Sequence, residues 1–205
     1  MSTMQILRHQ LNSREISLIS TFSAIGAVTR IVFASLAMEL PVTAYFGVSP
    51  YGVFIKVGLT ETLTFISGFV FGSIAGFLTG ALIIVVSDLY IAAGVWTPFI
   101  ALIIGVVFGC GAGVVHRYIK EPSLLTLGLS AGILTVISEV LQNLWVAWFF
   151  NLPIWPTMLA GVPSLITALV NNVILIGVLG PRVIRFVQKV NEKTPTLLAN
   201  SSRVQ

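Results

Sequence analysis

Long apolar stretches alternate with short polar breaks along the whole chain. Segments at roughly 16–38, 54–72, 73–92, 98–117, 124–150 and 157–181 are each long enough to cross a hydrocarbon core of about 30 Å as a helix. The densest pattern lies around the third segment. There Gly68, Gly72, Gly76 and Gly80 recur every four residues in an almost unbroken apolar run, which ends at Asp88 and a Trp96-Thr97-Pro98 turn. Glycine at that period weakens a helix in water, but in lipid it lays a smooth strip that another backbone can approach closely. The plain expectation is tight packing inside a bundle. Asp88 asks for more, because a carboxylate at the edge of an apolar span is costly unless it meets a partner, a cavity or the interface.

Only Gly72 and Ser73 separate the second and third segments, and charge decides for two helices rather than one. With six spans and the N-terminus inside, Arg8, Arg14, Arg117, Lys120, Arg182, Arg185, Lys189, Lys193 and Arg203 share the cytoplasmic side. A merged helix would export Arg117, Lys120 and the basic C-terminal stretch, against the positive-inside bias. The expectation is an all-α integral membrane protein, a bundle of six transmembrane helices with both termini cytoplasmic. It divides into a polar N-terminal segment 1–15, a membrane domain 16–181, and a basic amphipathic C-terminal segment with a disordered tail, 182–205. The first apolar segment exceeds a signal-peptide core of about 7–15 residues and is interrupted by Arg30, so it reads as a span despite small residues at Ser35 and Ala37. Thr97-Pro98, Pro122-Ser123 and Pro156-Thr157 mark helix starts. Gly180-Pro181 is expected to bend or end the last span, and the stretch RVIRFVQKVNEK to lie on the anionic lipid surface.

Composition narrows the function. Hydrophobic residues make up 56% of the chain and charged ones 9%, far from the roughly one quarter charged in a soluble domain. The net charge of +4 sits beside the spans, where topology needs it, so nucleic acid is not an expected partner. Cys110 stands alone and forms no disulfide framework or Cys-rich metal site. His9 and His116 lie at cytoplasmic ends, and no HExxH, GxSxG or Walker-type loop occurs. Neither enzymatic activity nor a metal or other cofactor bound by this chain is expected.

Polar residues within the spans carry the remaining signal. Counting from the outer helix ends places Arg30, Glu61, Gln142 and Asn143 at a common depth of about 10–12 Å. Arg30 is expected to pair with Glu61, or else to face a cavity and meet an anionic group of a ligand. Glu139, Gln142 and Asn143 form one patch, flanked by Trp145 and Trp148, while Ser164, Thr167 and Asn171 share a face with Asn172 adjacent. Two such stripes predict a polar cavity in preference to packing bonds alone. The outer loops hold most interfacial aromatics: Tyr45 and Phe46 in the first, Trp96 in the second, Trp155 in the third.

These residues carry a family resemblance. A chain with STFSAIGAVTR in its first helix, GFVFGSIAGFLTGALIIVVSDL followed by GVWTPF, then GVVFGCGAGV and QNLWVAWFF resembles the substrate-binding S component of energy-coupling factor (ECF) vitamin transporters over roughly residues 16–180. The resemblance implies a prokaryotic, multi-pass plasma-membrane protein that binds a water-soluble vitamin or related micronutrient in its outer half. It also implies a transmembrane coupling subunit and two ATPase subunits as partners, with ATP consumed there. The family's AxxxA coupling motif corresponds to Ser23 and Ala27, with Ala24 beside them. Its substrate region corresponds to Asp88, Trp96, Glu139, Asn143, Trp145 and Asn171, with Arg30 added from the charge argument. Gln142-Asn143-Leu144-Trp145 is only similar to the Asn-Thr-Leu-Trp segment of folate-type members and assigns no substrate. Two other classes compete: a proton- or ion-coupled carrier using Glu61, Asp88 and Glu139, and a non-transporting scaffold.

Overall fold

The computed structural model describes residues 13–39, 59–91, 97–119, 121–187 and Lys189. The described residues form six helices: α1 Ser13–Glu39, α2 Leu59–Phe71, α3 Ser73–Ile91, α4 Thr97–Tyr118, α5 Leu124–Phe149 and α6 Ile154–Val187. All but α2 contain stretches long and apolar enough to cross a membrane; α2 is a shorter apolar helix over its described length. The all-helical membrane class follows, and exposed Leu89, Leu125, Ile133 and Leu159 give the outer surface the apolar character that lipid requires.

The break between α2 and α3 falls where the charge argument puts it. Gly72 has φ 95°, a backbone conformation open to glycine, and its N–H and C=O continue the helical bonding on either side, to Gly68 and from Gly76. Around it the chain folds back on itself. A Cβ on Gly76 would stand 2.5 Å from the Gly68 Cα, and Ser67 and Thr79 hydroxyls meet at 2.7 Å, so α2 and α3 run antiparallel in close contact. Gly72→Ala meets no steric neighbour but must hold an unfavourable φ. It is expected to cost about 1–3 kcal/mol, read as a lower midpoint of thermal unfolding in detergent. An unchanged midpoint would contradict this turn.

A third helix closes the glycine contact. α4 runs antiparallel to α3, with Gly105 against Phe77, Gly109 against Gly76 and Gly113 against Ser73. Its middle turn, Gly105–Cys110, is π-helical. Ser73 donates to the Cys110 carbonyl at 3.3 Å, and the Cys110 thiol donates back to the Ser73 carbonyl at 3.5 Å. Among lipid tails apolar burial drives helix association little, so backbone proximity and interhelical hydrogen bonds carry it. The glycine strip is thus a packing surface, as its period predicts.

α5 and α6 form a second antiparallel hairpin. Gly128 approaches Val173 and Gly177, and the hairpin joins the rest through a core of Phe65, Phe69, Phe108, Leu127, Ala131 and Ile176. Ser123 caps α5 in a reciprocal pair with Thr126. The last helix departs from expectation at its start. It begins at Ile154 behind Pro153 rather than at Pro156-Thr157, because Pro153 supplies the extended N-cap and its carbonyl accepts from the Thr157 hydroxyl at 2.9 Å. It also continues through Pro181 to Val187. A π-helical turn at Leu175–Leu179 lies immediately before the proline, and such widening accommodates a residue that lacks an N–H. The amphipathic reading of 182–205 is covered only to Val187 and Lys189: Arg182, Arg185, Phe186 and Lys189 are exposed, and Arg185 donates to the Pro122 carbonyl at 3.2 Å.

These pairings give the bundle two distinct ends. One gathers Arg30, Asp88, Thr97, Phe99, Trp145 and the start of α6. The other holds Gly72, exposed Arg117 and the exposed basic residues of α6. The exposed basic residues and the buried ion pair thus lie at opposite ends.

Candidate functional site

α1 lies along α3 in parallel with a constant register. Ser23 donates to the Thr79 carbonyl at 3.5 Å, Gly26 abuts Ile83, and Arg30, two turns beyond Ser23, reaches Ser87 and Asp88. The small side chains at Ser23, Gly26 and Ala27 let the two helices approach, and that register brings Asp88 opposite Arg30. The cation's carboxylate partner is therefore Asp88 rather than the expected Glu61. Asp88 is fully buried, its Oδ1 accepting from Arg30 and its Oδ2 from the Thr97 hydroxyl at 2.9 Å. Arg30 keeps 28% of its side chain exposed. Three helices, α1, α3 and α4, are tied at one end by this node.

A second polar group lies between α5 and α6. Ser164 donates to Glu139 Oε2 at 3.2 Å, and Asn143 donates to the Glu139 backbone carbonyl at 2.9 Å. Gly161 of α6 leaves room for the Asn143 amide: a Cβ there would fall 2.7 Å from its Cγ. One turn towards the other end, Asn172 donates to the Thr135 hydroxyl at 3.0 Å. The two stripes read from sequence meet through Ser164 and Glu139, because the antiparallel hairpin sets those residues against one another, as it sets Thr135 against Asn172; Asn143, Gln142 and Thr167 also bond within their own helices. Near the outer end of this hairpin a recess of about 390 Å³ opens among Leu144, Ala147, Trp148, Asn151, Leu152 and Ile154.

Aromatic rings join these groups to α4. Trp145 stacks on Phe99 with centroids 3.9 Å apart and planes 13° from parallel, and Trp148 and Phe149 lie 5.0 and 5.4 Å away. Among the described residues, three buried polar atoms have no hydrogen-bond partner: Trp145 Nε1, Asn172 Oδ1 and Thr64 Oγ1. Buried polar atoms are seldom left so, and an orphan indole N–H beside a stacked ring is suited to a ligand acceptor.

The structure brings Arg30 and Asp88 into direct contact and sets Glu139 and Asn143 side by side, with Trp145 two residues beyond Asn143 on the same helix. Asn171 is half-buried, whereas its neighbour Asn172 is the one fully enclosed. Trp96 lies outside the described residues. Of the coupling residues, Ser23 and Ala27 face α3, Ala27 being almost wholly buried, while Ala24 is exposed. Sequence reasoning passed over Ser87 and Thr97 as partners of the node. The seven-residue spacing from Ser23 to Arg30, continuing the small-residue strip, is the signal that could have placed Arg30 against α3. No family model matches the chain, and no curated protein or solved structure is significantly similar to it.

Proposed function

We propose that this chain is the substrate-capture component of an ECF-type importer in a prokaryotic plasma membrane, taking a water-soluble vitamin or related micronutrient from outside. The carrying observation is the segregation of the bundle. Buried Asp88, Glu139 and the orphan Trp145 N–H collect towards one end, and the exposed arginines and Lys189 at the other. By the positive-inside bias the basic end is cytoplasmic, which gives six spans with both termini inside and turns the polar, aromatic end outward. Arg30, Asp88, Trp96, Glu139, Asn143, Trp145 and Asn171 then border the capture site. Aromatic rings stack on the ligand and the amides and carboxylates bind its polar edge. This chain performs no chemistry; a transmembrane coupling subunit and two ATPases supply the work.

In this role α1 has two faces. The Ser23–Ala27 face is occupied by α3, so a coupling subunit meets the exposed face on which Ala24 lies unless α1 separates first. The site is tested by titrating tryptophan fluorescence of the purified chain with a panel of vitamins and related micronutrients. Glu139→Gln and Asn143→Ala are expected to weaken the affinity about tenfold or more while leaving helicity unchanged, since the first removes the charge from a hydrogen bond to the ligand and the second removes an amide. Unaltered affinity in both variants would remove the α5–α6 patch from the site.

A further inference from the structure

We infer that the captured ligand carries a carboxylate, received by the free edge of the Arg30 guanidinium. The inference rests on the capture reading for its setting and on the geometry of one side chain for its content. Both hydrogen bonds made by Arg30 leave from Nη1, one to Asp88 Oδ1 and one to Ser87 Oγ. A guanidinium Nη carries two hydrogens, so Nη1 is fully used, while Nη2 and Nε have no protein acceptor among the described residues. Asp88 cannot turn to serve them, because its second oxygen is held by Thr97 at 2.9 Å. Ser87 is likewise committed, donating to the Ile83 carbonyl at 2.7 Å.

The guanidinium is therefore fixed along one edge and open along the other, with 28% of the side chain exposed next to an otherwise buried node. Parallel N–H donors on Nη2 and Nε match the two oxygens of a carboxylate, which accepts them as a bidentate pair. Leaving such an edge unmatched within an apolar span is unfavourable, and so the geometry favours an acceptor arriving from outside. Asp88 sets the strength of the interaction. Its charge offsets part of the arginine's, holding the affinity for a bare carboxylate low and making selection depend on fit. That gives a signature opposite to the usual effect of a site mutation: removing the Asp88 charge while keeping its shape strengthens carboxylate binding.

The test is an NMR titration of the full chain, labelled with ¹⁵N-arginine and ¹⁵N-tryptophan in detergent micelles, using benzoate as probe and benzamide as its neutral counterpart. Benzoate is expected to shift the Arg30 Nε–H resonance saturably in the millimolar range and benzamide to leave it in place. In Asp88→Asn, whose amide still accepts from Arg30, the benzoate midpoint falls by about tenfold. An Arg30 signal that does not move, that moves equally with benzamide, or that drifts without saturation as the exposed Arg182 and Arg185 signals do, overturns the assignment. So does an Asp88→Asn midpoint that is unchanged or weaker in a variant whose Trp145 resonance is preserved. Absence of any vitamin-like ligand in the fluorescence panel would defeat the capture reading and leave the benzoate result standing. A negative benzoate result would leave capture standing with a ligand that has no carboxylate.

Discussion

Replacing Gly76 by alanine is expected to lower stability by about 3 kcal/mol, and replacing it by leucine to yield no folded protein. The added Cβ would lie 2.5 Å from the Gly68 Cα and 2.7 Å from the Gly109 Cα and carbonyl oxygen, contacts with backbone on two different helices. Neither neighbour can yield by rotating a side chain, so α2, α3 and α4 must separate together. For a chain of this length the loss corresponds to a fall of roughly 6–12 °C in unfolding midpoint, measured on the detergent-solubilised protein. Gly132 supplies the internal contrast. Its Cβ would stand 3.5 Å from the nearest Val173 methyl, an ordinary contact, so Gly132→Ala should be neutral or gain up to about 1 kcal/mol from helix propensity. Equal effects at the two positions would show that the glycine junction does not hold the bundle together.

The Arg30–Asp88 node is expected to show strong non-additivity. Asp88→Ala leaves a guanidinium with no carboxylate inside the bundle and removes the acceptor of Thr97, a loss of about 3–5 kcal/mol. Arg30→Ala leaves a fully buried carboxylate with only Thr97 and is expected to cost a similar amount. The double substitution removes both charges, so its cost should fall short of the sum by at least about 2 kcal/mol. Thermal unfolding of the four proteins closes the cycle. Additivity within about 0.5 kcal/mol would mean the two groups do not act on one another.

The node also shows where sequence reading reached its limit. Spacing and charge were enough to divide α2 from α3, because Gly72 had to supply a turn that no other residue adopts cheaply and the alternative exported a basic stretch. The capping hydroxyl of Ser123 was equally legible, since its bonds are local. The partner of Arg30 was not, because depth counted along separate helices fixes height only coarsely and azimuth not at all: it matched Arg30 with Glu61 and left Asp88 nearer the outer edge. Only the contact of the Ser23–Ala27 strip with α3 selects Asp88. Thr97 read as a helix-opening hydroxyl, yet its side chain turns to Asp88, a choice set by the close approach of α3 and α4 through their glycines. On α6 the polar period singled out Asn171, which is half-buried, and gave no sign that the rotation of α6 against α5 buries its neighbour Asn172 on Thr135. Pro181 left a bend and an end equally open for a different reason. A proline ends a regular α-helix, but the preceding π-turn changes the bonding it interrupts, and no local pattern announces that turn.

Capture without chemistry or independent transport is the claim on which the rest depends. Its most direct test places the purified chain alone in lipid vesicles, offers it labelled vitamins, and imposes a proton or sodium gradient. The account predicts saturable retention of one compound at no more than one molecule per chain, indifferent to either gradient. Accumulation beyond that stoichiometry, driven by a gradient with no ATPase present, would contradict it and identify a secondary carrier.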